Sequence, residues 1–94
     1  MTARHSNLII KRLKQLGFIE SETHHKQYVY YTLAGIKTRV KTHISHGSKD
    51  YGDNLLSRVA EQLKLTKKEL LRLIDGEMTR EDYEKILKNK GFID

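Results

Sequence analysis

Thr23–His46, THHKQYVYYTLAGIKTRVKTHISH, is the stretch on which the fold turns. In its second half Ile36, Thr38, Val40, Thr42 and Ile44 alternate with Lys37, Arg39, Lys41 and His43. That two-residue period describes a strand with one face for a core and the other for an anion. The first half, rich in tyrosine and β-branched residues, predicts a partner strand over 27–32. Leu33 to Gly35 supplies the reversal between them. Hairpin pairing about Gly35 sets residues whose numbers sum to roughly 68 to 70 opposite one another. It draws His24 and His25 toward His43 and His46 at one end of the sheet. Tyr28 and Tyr30 share one side of the first strand, where they are expected to be available for stacking on unpaired bases.

Upstream, Leu8, Ile9, Leu13 and Leu16 fall on one side of an amphipathic helix from Ser6, with Lys11, Arg12 and Lys14 on another. Ser6 is its candidate cap, and Gly17 ends it by taking the left-handed conformation at which helices commonly stop. Phe18 to Glu22 predicts a short first strand, with Thr23 to Lys26 turning into the second. Downstream, SHGSKDYG from Ser45 to Gly52 has no periodicity and reads as a loop. Asp53 is placed to cap a helix burying Leu55, Leu56, Val59, Ala60 and Leu63. Thr66 with Glu69 forms a capping box, Thr79 with Asp82 repeats it, and Asp75 and Gly76 break the chain between them. The last helix ends at Gly91.

The fold class expected is therefore α+β: a helix, a three-stranded antiparallel sheet, then helices. Residues 1–94 form one domain, with an α-β-β-β-α core over 1–63 and two further helices over 64–94. One helix before the sheet and one after, both on the same face, is the arrangement of double-stranded-RNA-binding domains, and it leaves the other sheet face open.

Charge sharpens this expectation. The 94 residues carry a net charge of +6, with 32% charged and 37% hydrophobic residues. From Met1 to Gly52 nine Lys or Arg face three acids, whereas from Asp53 to Asp94 nine face nine, so the whole excess sits in the first half. All five histidines and four of the five tyrosines lie there too. A basic face beside aromatic rings is the footprint of a phosphate-backbone partner. Absence of cysteine excludes disulfides, thiolate catalysis and the common zinc-finger frameworks. No apolar run approaches a membrane span and no secretory signal opens the chain, so the cytoplasm is the expected compartment.

The chemistry available to such a face is proton transfer. Imidazole titrates near neutral pH and can exchange a proton with a ribose hydroxyl or a leaving oxygen, while Lys41 or Lys49 balances charge growing on phosphate. No metal or cofactor is needed. A zinc site at His43 and His46 lacks a carboxylate or thiolate at standard spacing. Gly-rich phosphate loops, paired carboxylates and nucleophile elbows are all missing from the sequence. The expected RNA-binding set is Lys26, Tyr28, Tyr30, Lys37, Arg39, Lys41, His43, His46 and Lys49.

Short motifs tie these features to a family. LGF at Leu16–Phe18, His25 followed three residues later by Tyr28, a β-hairpin, ISHGSK at Ile44–Lys49 and GDNLL at Gly52–Leu56 together resemble the HicA-type mRNA interferase toxins. The resemblance covers about Ser6 to Leu63. It implies a double-stranded-RNA-binding-domain-like fold, metal-independent RNA cleavage by one essential histidine, here His25, and neutralisation by a HicB-type antitoxin partner. Two other readings compete. LGFIESE followed by YYTLAG, with VAEQLKLTKKELLRLIDG, is also similar to a winged-helix or helix-turn-helix DNA-binding regulator. A non-catalytic RNA- or partner-binding module is the other.

Overall fold

The computed structural model describes residues 3–22, 26–44 and 49–93. A two-residue strand β1 (Arg4–His5) leads into α1 (Ser6–Gln15), followed by β2 (Phe18–Glu22), β3 (Lys26–Tyr31) and β4 (Lys37–His43). A second two-residue strand, β5 (Asp50–Tyr51), precedes α2 (Asp53–Gln62), α3 (Lys67–Ile74) and α4 (Arg80–Asn89). The fold is α+β, with the central sheet antiparallel in the order β2-β3-β4. Of the expected turn over Thr23–Lys26, residues 23–25 lie outside the described residues, as does the loop's 45–48 portion, and Lys26 already opens β3.

Most elements form for a local reason that the sequence carries. In α1, Ile9, Ile10 and Leu13 are buried while Lys11 and Lys14 face water. Its cap, however, is His5, whose Nδ1 accepts from the Asn7 amide at 3.1 Å. Ser6 is instead fully buried, its amide donating to the Lys49 carbonyl and its hydroxyl accepting from the Lys49 amide. This interlock accompanies the β1–β5 pairing of Arg4 with Tyr51 and His5 with Asp50. Residues 50–51 are thus a strand where a loop was expected, because their partner lies far away in sequence and no local period can announce it. Asp53 likewise opens α2 without capping it: Gly52 is the cap, and Asp53 pairs with Lys67 across 2.7 Å. Both capping boxes, Thr66–Glu69 and Thr79–Asp82, are present.

Among the described residues one hydrophobic cluster joins the sheet to all four helices. Ile9, Leu13, Phe18, Tyr30, Leu56, Leu63, Leu70, Leu73, Tyr83 and Leu87 all belong to it. The helices after residue 63 are therefore part of the core and not an appendage. Tyr83 of α4 packs edge-on against Tyr30 at 5.0 Å and beside Phe18 at 5.7 Å, joining the last helix to the first two strands of the sheet. Its hydroxyl donates to the Leu63 carbonyl at 2.9 Å.

Three arginines from different elements tie the two halves together. Arg4 grips Asp75 with two hydrogen bonds of 2.8 and 2.9 Å. Arg12 donates to the Ile74 carbonyl at the end of α3. Arg80 reaches back to the Tyr31 and Thr32 carbonyls at 3.0 and 2.9 Å. Gly17, at φ 97°, lies directly under this last guanidinium, where a Cβ would sit 2.6 Å from Cζ. The radius of gyration, 12.4 Å, matches the roughly 12 Å of a close-packed chain of this length.

Candidate nucleic-acid interface

Helices cover one face of the β2-β3-β4 sheet. Phe18, Tyr28, Tyr30, Val40, Thr42 and Ile44 turn toward them and are buried. The opposite face carries Lys37, Arg39, Lys41 and His43, all exposed, with Tyr31, Val29, Gln27, Ile19 and Ser21 alongside. Pairing sets His43 opposite Gln27 and Lys41 opposite Val29. Lys37, Arg39 and Lys41 line one hollow of about 370 Å³ with Ser21, Gln27, Val29 and Thr38. Among the described residues no ion pair or side-chain hydrogen bond engages any of these three cations.

A bulge shapes this surface. Val29 pairs with Lys41 and Tyr31 with Lys37, so Tyr30 alone faces Thr38, Arg39 and Val40. Two extra residues on β4 preserve the alternation, whereas one would send every cation beyond it to the core side. The Thr38 hydroxyl satisfies the interrupted ladder by donating to the Tyr30 carbonyl at 2.7 Å and accepting from the Val40 amide at 3.2 Å. A threonine at the first bulged position thus stabilises the geometry.

The tyrosine expectation is corrected. Tyr28 and Tyr30 are 0% exposed and belong to the core face, so neither is presented for stacking on a base. The Tyr28 hydroxyl donates to Glu20 at 2.8 Å, and Tyr30 donates to Glu84 at 2.8 Å. Burial first, then the Glu84 bond, pushes the Tyr30 phenol up to about 12. The Tyr28 and Tyr83 phenols are raised also, chiefly by burial. Sequence held a signal for this placement: a register summing to 70 sets Tyr28 opposite Thr42, an alternate position to the cations. Tyr31, beside Lys37, is the tyrosine on the outer face.

Glu84 is the buried acid behind the hairpin turn. Burial opposes its ionisation, but the Leu33 amide, the Tyr30 hydroxyl and the charges of Lys88 and Arg80 outweigh this and hold the carboxyl below its ordinary value. Of the remaining expected site residues, Lys49 is anchored beside the start of α1 and not on the three-stranded sheet. His24, His25 and His46 lie outside the described residues, as does the side chain of Lys26. Among the described residues no group of three or more His, Asp or Glu is arranged to hold a metal ion, and no helix is long and apolar enough to cross a membrane.

Elsewhere, the turn joining α2 to α3 holds Lys64 at φ 64°, the left-handed conformation for which glycine is usual. In α3, Lys67 is paired with Asp53 and Glu69 with Lys90, while Lys68 and Arg72 are exposed. No protein-family model, curated protein or solved structure matches the chain.

Proposed function

We propose that this protein binds RNA across the outer face of its three-stranded sheet and is a HicA-like endoribonuclease acting through His25 without a metal ion. The observation that carries the reading is the row Lys37, Arg39 and Lys41, exposed together on a sheet face that no helix of the described chain covers. Three cations without acidic partners among the described residues attract a polyanion, and the β4 bulge gathers them around one hollow of the outer face. His43 at the end of the row extends the same face toward the β2–β3 end of the sheet.

His25 falls in sequence between the end of β2 and the start of β3. In the proposed step its imidazole removes the proton from a ribose 2′-hydroxyl as that oxygen attacks the adjacent phosphorus. The bond to the 5′-oxygen breaks, that oxygen takes up a proton, and a cyclic phosphate is left on the other fragment. Lys41 balances the charge gained by the phosphoryl oxygens. The resemblance that names His25 also implies a HicB-type antitoxin as partner, and the cytoplasm is the proposed compartment.

The test is incubation of the protein and its His25→Ala variant with labelled single-stranded RNA, duplex RNA and DNA in the presence of chelator. The parent is expected to bind and cut RNA, and the variant to bind without cutting. Cleavage retained by the variant would remove His25 from the mechanism. Binding of RNA with no cleavage by either would leave the non-catalytic module, and preference for duplex DNA would favour the regulator.

A further inference from the structure

A second hollow opens at the other end of the cationic row. It has a volume of about 370 Å³ and is lined by Ile36, Phe92 and Ile93 together with Lys37, Arg39 and Lys88. That size falls in the range of about 300–1,000 Å³ typical of small-ligand sites. Both hollows share Lys37, Thr38 and Arg39, so they meet at the β4 bulge. Ile36 is 63% and Phe92 50% exposed, which places two large apolar side chains at the water-facing wall.

The main chain at Phe92 is fixed, and its ring has a cation beside it. Its amide donates to the Leu87 carbonyl at 3.0 Å, closing the turn after α4, and Lys64 Nζ lies 5.3 Å from the ring centroid. Glu84 contributes the one carboxylate among the lining residues. Its Oε1 accepts from the Tyr30 hydroxyl and the Leu33 amide, and its Oε2 lies 3.9 Å from Lys88, so its charge is compensated within the hollow. What remains is an aromatic and aliphatic lining with Lys37 and Arg39 beside it. A planar apolar group attached to an anion fits that chemistry.

Resting on the RNA-binding reading, we propose that this hollow receives one unpaired base of a bound RNA strand, the base lying against Phe92 and Ile36 while Lys37 and Arg39 hold its phosphate. The substrate class is thereby single-stranded RNA or an unpaired loop. Bases in a duplex are stacked and cannot enter, whereas a splayed base gains an aromatic surface without needing a particular sequence. Buried Tyr28 and Tyr30 do not supply that surface, and Phe92, almost at the end of the chain, does.

Affinity is measured for single-stranded RNA bearing 2′-O-methyl groups, which prevent self-attack, and for a strand of the same length built from abasic sugar phosphates. Wild type, Phe92→Ala, Ile36→Ala and Arg39→Ala are compared; Phe92 and Ile36 are exposed, so neither variant opens the core. Phe92→Ala is expected to weaken binding of the base-bearing strand roughly tenfold, the size of one lost base–aromatic stack, and to leave the abasic strand unaffected. Arg39→Ala is expected to weaken both. Equal effects of Phe92→Ala on the two strands, or none, with Arg39→Ala still impaired, would overturn the base pocket and leave RNA binding by the sheet standing. If wild type binds neither strand, the RNA-binding reading fails and the pocket with it.

Discussion

At the scale of single residues, Gly17 and Glu84 carry the clearest consequences. Gly17 combines a φ of 97° with the Arg80 guanidinium at 2.6 Å from where a Cβ would lie. Gly17→Ala should therefore cost about 1–2 kcal/mol for the left-handed backbone alone and more for the displaced arginine. Arg80→Ala in the same chain should return only the second part, a difference that a double-mutant cycle in urea resolves. Glu84 is held below the ordinary carboxyl value of 4.5 in the fold. Its contribution is present above that value and is lost as pH falls through the lower folded value, because the unfolded chain then binds the proton more readily. Urea midpoints for wild type should fall with acidification through this range, and those of Glu84→Gln should fall less. The left-handed turn at Gly17 was legible from the sequence and is found at φ 97°; the arginine lying over it, and the role of Glu84, were not. No local pattern marks Glu84, and only the packing of α4 behind the hairpin turn brings it to Tyr30 and Leu33.

Among the elements, those signalled by a local period or a cap were readable. Phe18–Glu22 emerges as a strand with the expected bounds, and both capping boxes form where Thr66 and Thr79 announce them. Features made by distant partners were not: β5 depends on β1, and the β4 bulge depends on a hydroxyl whose acceptor is on another strand. The bulge is testable through that hydroxyl. Thr38→Val keeps the shape but leaves the Tyr30 carbonyl and the Val40 amide without their bonds, and should destabilise by about 1–3 kcal/mol. The last two helices invite a stronger test. Because Leu70, Leu73, Ile74, Tyr83 and Leu87 are fully buried in the common core, a chain ending at Lys64 should show no dispersed amide spectrum. A folded truncated chain would mean that those helices are an appendage.

For the molecule as a whole, the division of labour follows from which sheet face the helices cover. The aromatic residues of β3 that looked suited to bases went inward, because the same alternation that aims Lys37, Arg39 and Lys41 at water aims Tyr28 and Tyr30 at the core. The cations on one side of β4 were legible from strict alternation, and the bulge leaves that parity intact. Their proposed role in RNA binding is tested most directly by the salt dependence of the affinity. For a single strand each neutralised phosphate contributes about 0.7 to the slope of log K against log salt, so replacing Lys37, Arg39 and Lys41 with alanine should flatten it by about 2. Replacing the exposed α3 cations Lys68 and Arg72 should leave it unchanged. A slope untouched by the strand substitutions, or flattened by those on α3, would contradict the account.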